Sequence, residues 1–399
     1  MFFINNLTDL YRYDHILSFG SKKMNGLDLL SQISIISDPR QAWKIEHKLA
    51  DILFLTITAV IGGAEGWEEI EDFGIDHLDW LRMYGDFENG IPVHDTIARV
   101  ISMISGKSLQ SCFATWMKEC HEVTKGDVIA IDGKTIKGSY NKSKRKGLIH
   151  MVSAFSAANQ VVLGQVKTAE KSNEITAFPE LLNLLNINGC LVTIDAMGCQ
   201  KKIATKILSK NADYILAVKG NQGRLEKAFN DYFSLKLLEE PGADTYSTQE
   251  KGHGRTETRL SFVTQDTSVL GDIAFDWPGL TTVGIVGSIR QVGDVVPQDI
   301  TIKYYISSAK LNAKELLEAT RSHWSIEVQL HWRLDVGMNE DKCRIQRGEG
   351  GENLAVIRHI ALNLLNTDKS FKAGLKRKQT KAGRNNEYLS RILTGCGSS

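Results

Sequence analysis

Helical spacing of apolar positions is strongest at residues 47–73, HKLADILFLTITAVIGGAEGWEEIEDF. The apolar run inside it, ILFLTITAVI, lies between Asp51 and Glu65 and is too short to cross a bilayer, so it predicts a buried helix. The same patterning covers residues 24–122 and includes SLQSCFATWMKEC, whereas residues 1–23 show no clear period. Near residue 126 the pattern becomes β-like: GDVIAIDGKT, then HMVSAFSAANQVVLGQVKT as two strands joined at Ala158-Asn159-Gln160. AFPELLNLLNI, CLVTIDAM, QKKIATKILSK, DYILAVKG and QGRLEKAFNDYFSL follow as helix, strand, helix, strand and helix. The order β-β-β-α-β-α-β-α predicts an α/β fold, a mixed sheet with helices on both faces.

From about 240 to 310 the chain returns to strands, RTETRLSFV, TTVGIVGSIRQV and ITIKYYISS. A long helix, AKELLEATRSHWSIEVQLHWRLDV, comes next, then the polar RGEGGEN and the apolar helix LAVIRHIALNLL. The expected division is a leader (1–23), an N-terminal helical domain (24–122), a core (123–239 and 311–370), a β-rich insertion (240–310) and a basic tail (371–399).

Composition changes little in this picture. Hydrophobic residues make up 42% and charged residues 24%, and 48 Lys and Arg nearly balance 47 Asp and Glu. The distribution is uneven: residues 51–90 hold ten acidic side chains and only Arg82, while 371–391 hold seven basic ones and only Glu387. A basic end on a neutral chain suits nucleic acid, or a solvated tail. The cysteines form neither Cys-x-x-Cys pairs nor a disulfide framework, and the first twenty residues lack an apolar signal core. The expectation is a cytoplasmic, nucleoid-associated protein with no membrane span. Neither G-x-G-x-x-G nor a P-loop is present, so no nucleotide cofactor is expected.

The candidate chemistry begins with two aspartates. Asp132 and Asp195 end the apolar runs VIAID and LVTID, where an α/β sheet gathers functional groups above its strand ends. Each is also a plausible turn or cap residue. A pair of strand-end carboxylates suits Mg²⁺, with Mn²⁺ as a substitute, and two such ions serve phosphodiester chemistry. That arrangement calls for a third carboxylate, for which Glu327 on the long helix is the candidate, with Asp335, Glu340 and Asp341 competing. Helical spacing puts Glu327 beside Leu330, His331 and Leu334. His323, Glu327 and His331 also have the i, i+4, i+8 spacing of a zinc face. A glycosidase pair is a further reading, without the aromatic platform that sugars favour. Lys134, Lys219, Asn221, His253, Arg255, Arg344 and Arg347 are candidate phosphate contacts. On a β-ribbon Arg255 and Arg259 share a side, with Glu257 between them.

In order along the chain, IDGKTIKGS, KSNEI, TIDAMGCQKKIA, ADYILAVKGNQ, HGRTETR and HWSIEVQLHWRLDVGMNEDKCRIQRG resemble the H-repeat-associated proteins. These are insertion-sequence transposases of the Asp-Asp-Glu class with a ribonuclease H-like core. The likeness runs from about Gly26 to Leu393 and takes in DPRQ and GIPVHDT. It implies a catalytic, metal-binding triad of Asp132, Asp195 and Glu327 with two divalent ions. It also implies cleavage at the terminal inverted repeats of an element, transfer of the 3′-hydroxyl into target DNA, and assembly as a homodimer on DNA. The same membership admits a silent DNA-binding remnant, and a purely hydrolytic nuclease fits the same core. The sequence departs from the broader group, which places Tyr, Arg and Lys around the glutamate where this chain has Thr320, His323 and Leu334.

Overall fold

The computed structural model describes residues 26–121, 125–139, 148–168, 174–233, 244–252, 254–292 and 300–395. The leader and His253 lie outside the described residues.

The N-terminal region is helical: α1 Gly26–Ile33, α2 Leu49–Gly62, α3 Trp67–Asp76, α4 Leu78–Leu81, α5 His94–Met103 and α6 Gly106–Cys120. In α2 the apolar run is apolar all round, and every residue from Ile52 to Ile61 is buried, as such a helix requires. Among the described residues no single helix is long and apolar enough to cross a membrane.

The strands β1 Val128–Ile136, β2 Ile149–Ser156 and β3 Val161–Lys167 form an antiparallel meander. The expected tight connection between the second and third is present, with Gln160 at φ 56°. Helix α7 (Glu174–Leu184) leads to β4 (Leu191–Ile194), α8 (Lys201–Leu208) to β5 (Asp213–Val218), and α9 (Gly223–Tyr232) follows. Both β4 and β5 run parallel to β1, giving the order β3-β2-β1-β4-β5 of a ribonuclease H-like core.

The β-rich segment continues this sheet. It comprises β6 Asp244–Gly252, β7 Arg255–Thr264, β8 Thr282–Val292 and β9 Ile300–Ser307. Strand β9 pairs antiparallel with β5, and β8, β7 and β6 follow outward to complete nine strands. The sequence reading named three strands here, while β6 is a fourth. Its residues are mostly exposed and polar, which suits an edge and hides it from an apolar pattern.

The long helix is not continuous. It consists of α10 Ala313–His323, a π-helical turn Glu327–His331, and α11 Trp332–Met338. An Asn312 and Glu315 capping box fixes its start. Helix α12 (Gly350–Thr367) begins inside the stretch expected as a linker and is buried on all sides from Gly350 to Leu365. The basic end folds into α13 Leu375–Ala382 and α14 Asn386–Thr394, which pack on α2 and α12. Helices α6, α7 and α12 cover β3, and α10 covers β1 and β7, so both faces of the sheet are closed.

Candidate active site

Asp132 lies within β1, not at its end as the sequence suggested. Pairing of β1 with β2 continues to Ile136, whereas pairing with β4 stops at Ile131 and Ile194. Asp132 and Asp195 are therefore the next residues beyond the last parallel pair, side by side where the sheet opens. Asp195 caps the turn Ala196–Gly198, accepting from the backbone N–H groups of Met197 (3.1 Å) and Gly198 (3.3 Å). Those bonds fix the carboxylate and occupy Oδ1. The Asn221 amide donates to the Ala196 carbonyl at 2.6 Å, tying the loop after β5 to this turn.

The π turn brings the third carboxylate. In it the Trp332 N–H reaches back five residues to the Glu327 carbonyl. A turn widened by one residue is a recurrent feature of functional sites. Leu330 and Leu334 are fully buried beneath the turn, and Glu327 stays exposed. His331 Nδ1 stands 3.3 Å from Glu327 Oε2 and 3.7 Å from Asp132 Oδ2. One donor atom from each of Asp132, Glu327 and His331 lies within 4.8 Å of the others, a grouping able to hold a cation. Asp195 borders this group without belonging to it. His323 is not in the group either. Its Nδ1 is 3.0 Å from Thr193 Oγ1, and burial, with Lys303 nearby, pulls its pKa down to about 4.

The electrostatics match a cation site. Burial pushes Asp132 up to about 7, opposed by His331 and reinforced by the Glu327 and Asp195 charges. Burial also raises Asp195. Glu327 moves the other way, lowered chiefly by its hydrogen bond to His331. Three carboxylates crowd one cleft, and a divalent cation would relieve their repulsion. The oxygen donors suit Mg²⁺ or Mn²⁺, and the His331 nitrogen favours the softer of the two.

The other candidates fall into three groups. Lys134 is turned inward: Nζ binds Asp335 (2.5 Å) and Glu340 (2.7 Å), with Asp341 at 3.5 Å. Burial alone would lower this lysine, yet Glu340 and Asp335 outweigh it and raise its pKa. Its side chain is only 10% exposed, so its charge faces carboxylates and not the open cleft. Asp335, Glu340 and Asp341, the rival third carboxylates, are thereby engaged with Lys134. Lys219 is exposed close to Asp195, and Arg344 and Arg347 are exposed on the loop before α12. Arg255 and Arg259 share one side of β7, as expected, but both pair with Glu257. With Arg290, Lys303 and Arg321 they line a groove of about 790 Å³ that ends at Trp324 and Val328.

Two features were not legible as site components. His331 was visible only as a possible zinc ligand, and its helical spacing from Glu327 was the available signal. On the opposite face of β1, Gly133 leaves room where an added Cβ would meet Glu174 and His150. His150 bonds Glu174, which begins α7, and Thr135 at 2.6 Å.

The fold and cleft together define a member of the Asp-Asp-Glu transposases. The family described as "Transposase DDE domain" matches residues 124–364, and "DDE_Tnp_1-associated" matches residues 30–117. The chain belongs to this family, with the H-repeat-associated transposases as its relatives. It is 56% identical over 373 residues to "H repeat-associated putative transposase YhhI" of Escherichia coli (strain K12), covering 92% of this chain and 98% of that protein. It is 56% identical over 369 residues to "Putative transposase YncI" of Escherichia coli O157:H7, covering 92% and 95%. "Inactive transposase YbfQ" of strain K12 is 74% identical over 74 residues, 18% of this chain and 88% of that one. Among solved structures, a piggyBac transposase synaptic complex with hairpin DNA aligns at TM-score 0.44 and 11% identity, over 96% of this chain and 81% of that one. A likeness at that level adds nothing to the assignment.

Proposed function

We propose that the protein cleaves DNA at the ends of its own insertion element and joins the freed 3′-hydroxyl to target DNA. The observation that carries this reading is the meeting of Asp132 and Glu327, from opposite ends of the core, beside the strand-end Asp195. Asp132, Asp195 and Glu327 would hold two divalent ions, Mg²⁺ or Mn²⁺, with His331 beside them. Bound there, the ions would supply charge neutralisation at the phosphate and lower the pKa of a nucleophilic water or hydroxyl.

The chain's own residues then have distinct tasks. The backbone bonds at Asp195 hold that carboxylate in place before substrate arrives. His331 offers Nδ1 to Glu327 and Asp132 and orients both. Lys219, Arg255, Arg344 and Arg347 are the proposed phosphate contacts, and Asn221 acts through the Asp195 turn. Lys134 is assigned to positioning α11 instead. In domain terms, residues 24–122 and the basic end (371–399) flank a core of 123–239 and 311–370. Residues 240–310 widen that core, and two copies act together on paired DNA ends in the nucleoid.

A second reading, a remnant that binds DNA without cutting it, draws on one observation. Leu334 is apolar and buried, and His323 is held uncharged, so neither supplies the cation the broader group has there.

One experiment separates the readings: purified protein, Mg²⁺ or Mn²⁺, and DNA carrying the element's terminal repeats. Strand joining is the expected product. Nicking without joining would make the protein a nuclease, and binding without either would make it a remnant. Asp132→Asn, Asp195→Asn and Glu327→Gln should each cut cleavage by at least about 10²-fold while Ca²⁺-supported DNA binding persists. Cleavage unchanged in all three would refute the triad.

A further inference from the structure

The nine-stranded sheet ends differently on its two sides. At the β3 edge, helices α6, α7 and α12 close over the strand, and asparagines of α12 take up its outer backbone. The Asn363 side chain accepts from the Val162 N–H (2.9 Å) and donates to the Val162 carbonyl (2.8 Å), while Asn366 donates to the Gln160 carbonyl at 3.2 Å. At the other edge, the outer backbone of β6 has no hydrogen-bond partner among the described residues. Which of its atoms are free follows from the hairpin. Residues 253 and 254 alone join β6 to β7, so Gly252 and Arg255 are its closing hydrogen-bonded pair. Counting back in twos, Glu250, Thr248, Tyr246 and Asp244 bond β7, whereas Lys251, Gln249, Ser247 and Thr245 aim N–H and C=O outward.

Proteins blunt an edge of this kind with short strands, lysines, prolines or bulges, because it is a template for another strand. Strand β6 is nine residues long, holds no proline, and has Lys251 near its end as its one lysine. It pairs with β7 without a shift of register, so no bulge turns it away. Glu250 is not free to repel a neighbour, because Arg321 and Arg259 bind it at 3.0 and 3.1 Å.

We propose that β6 pairs antiparallel with β6 of a second copy about a two-fold axis at Thr248, joining two sheets edge to edge. That axis sets Ser247 opposite Gln249, Thr245 opposite Lys251 and Tyr246 opposite Glu250. Outward groups then meet outward groups, all nine residues overlap, and no like charges face each other. Other registers are worse. An axis on Ser247 sets Asp244 against Glu250, and one on Glu250 or Lys251 sets that charge against itself. An axis on Gln249 shortens the ladder, and any axis between residues sets outward groups against inward ones. The proposal goes beyond the transposase reading by assigning the surface through which two copies meet, and it holds with or without DNA.

The test is sedimentation velocity of the full-length protein without DNA, over a series of concentrations. The parent should show a monomer–dimer equilibrium. Ser247→Pro removes an N–H that only the second copy would use and leaves the ladder to β7 in place. It should raise the dimer dissociation constant by at least about 10-fold with unchanged circular dichroism. Ser247→Lys with Gln249→Lys sets like charges opposite across the axis and should weaken the dimer by about 5-fold or more. Ser247→Lys with Gln249→Glu sets opposite charges there and should restore it, which separates pairing in this register from a loss of fold. A parent that is monomeric at every concentration overturns the proposal. So does a dimer that Ser247→Pro and the double lysine change both leave intact, because the copies then meet elsewhere. A dimer weakened equally by the two charge variants overturns pairing about Thr248. Strand joining by the parent in Mg²⁺, with a dimer insensitive to all these changes, removes the edge pairing and leaves the transposase reading standing. A dimer that responds as expected in a protein that neither cuts nor joins element ends keeps the edge pairing and removes that reading.

Discussion

Two residues beyond Asp132 on the same face of β1, Lys134 holds three carboxylates contributed by α11 and the turn after it. Glu340 is 2% exposed, and its second oxygen has no partner among the described residues. A buried pair of this kind adds little net stability while intact, but removing one partner leaves the other charge stranded. Lys134→Met should therefore lower stability by about 3–5 kcal/mol, read as a fall in Tm or in the denaturant midpoint. The second change Glu340→Gln should recover part of the loss, because it removes the stranded charge. Independent additive losses would mean the two side chains do not act as a pair. Lys134 also bears on catalysis: Asp335 lies in α11, eight residues after Glu327, so the ion pair sets how the glutamate meets Asp132.

The π turn is the element on which the site depends. Deleting Gln329 would return the segment to regular α-helix and rotate α11 by about 100° against α10. Glu327 and His331 could then no longer face Asp132 while Leu330 and Leu334 stay buried. An ångström-scale misplacement of a catalytic group costs about 10²-fold. The deletion variant should keep its helical circular dichroism and lose at least that much cleavage. Parent-like cleavage would show that the widened turn is dispensable. This element also marks what the sequence could reveal. Asp132 and Asp195 were readable because apolar β runs stop at them, and Glu327 because helical spacing aligned it with Leu330 and Leu334. The extra residue in the turn was not readable, since it preserves the local order of apolar and polar positions. The partners of Lys134 were hidden too, because Asp335 lies 201 residues away and a bare lysine beside an aspartate looks like a phosphate contact. The five-strand core was legible from alternating runs, whereas the pairing of β9 with β5 is a long-range register with no local signature.

Across the whole molecule, buried titratable groups set how the fold responds to acid. His359 lies within α12, fully enclosed, with Glu340 nearby. Burial pulls its pKa down to about 4, and His323 is pulled down equally far. In the unfolded chain both titrate near 6.5, so between 6.5 and 4 the unfolded state binds more protons. Their contribution is complete above pH 6.5 and is lost as pH falls toward 4. Asp132 opposes them: its folded pKa lies above the unfolded value, so protonation through pH 7 to 4 favours the folded state. On acidification the two imidazoles thus pull the Tm of the metal-free protein down, against the raised carboxyls of Asp132 and Asp195, which pull it up. His359→Leu removes one of the two imidazoles. Its Tm should therefore fall less than the parent's between pH 6.5 and 4, with little difference between the two proteins at pH 8. Parallel curves would mean that His359 is already neutralised by Glu340, whose charge favours the imidazolium against burial. Excess Mg²⁺ should raise Tm more at pH 8 than at pH 6, because at the lower pH the cation must displace a proton from Asp132. A Tm increment independent of pH would place the bound cation away from that carboxylate.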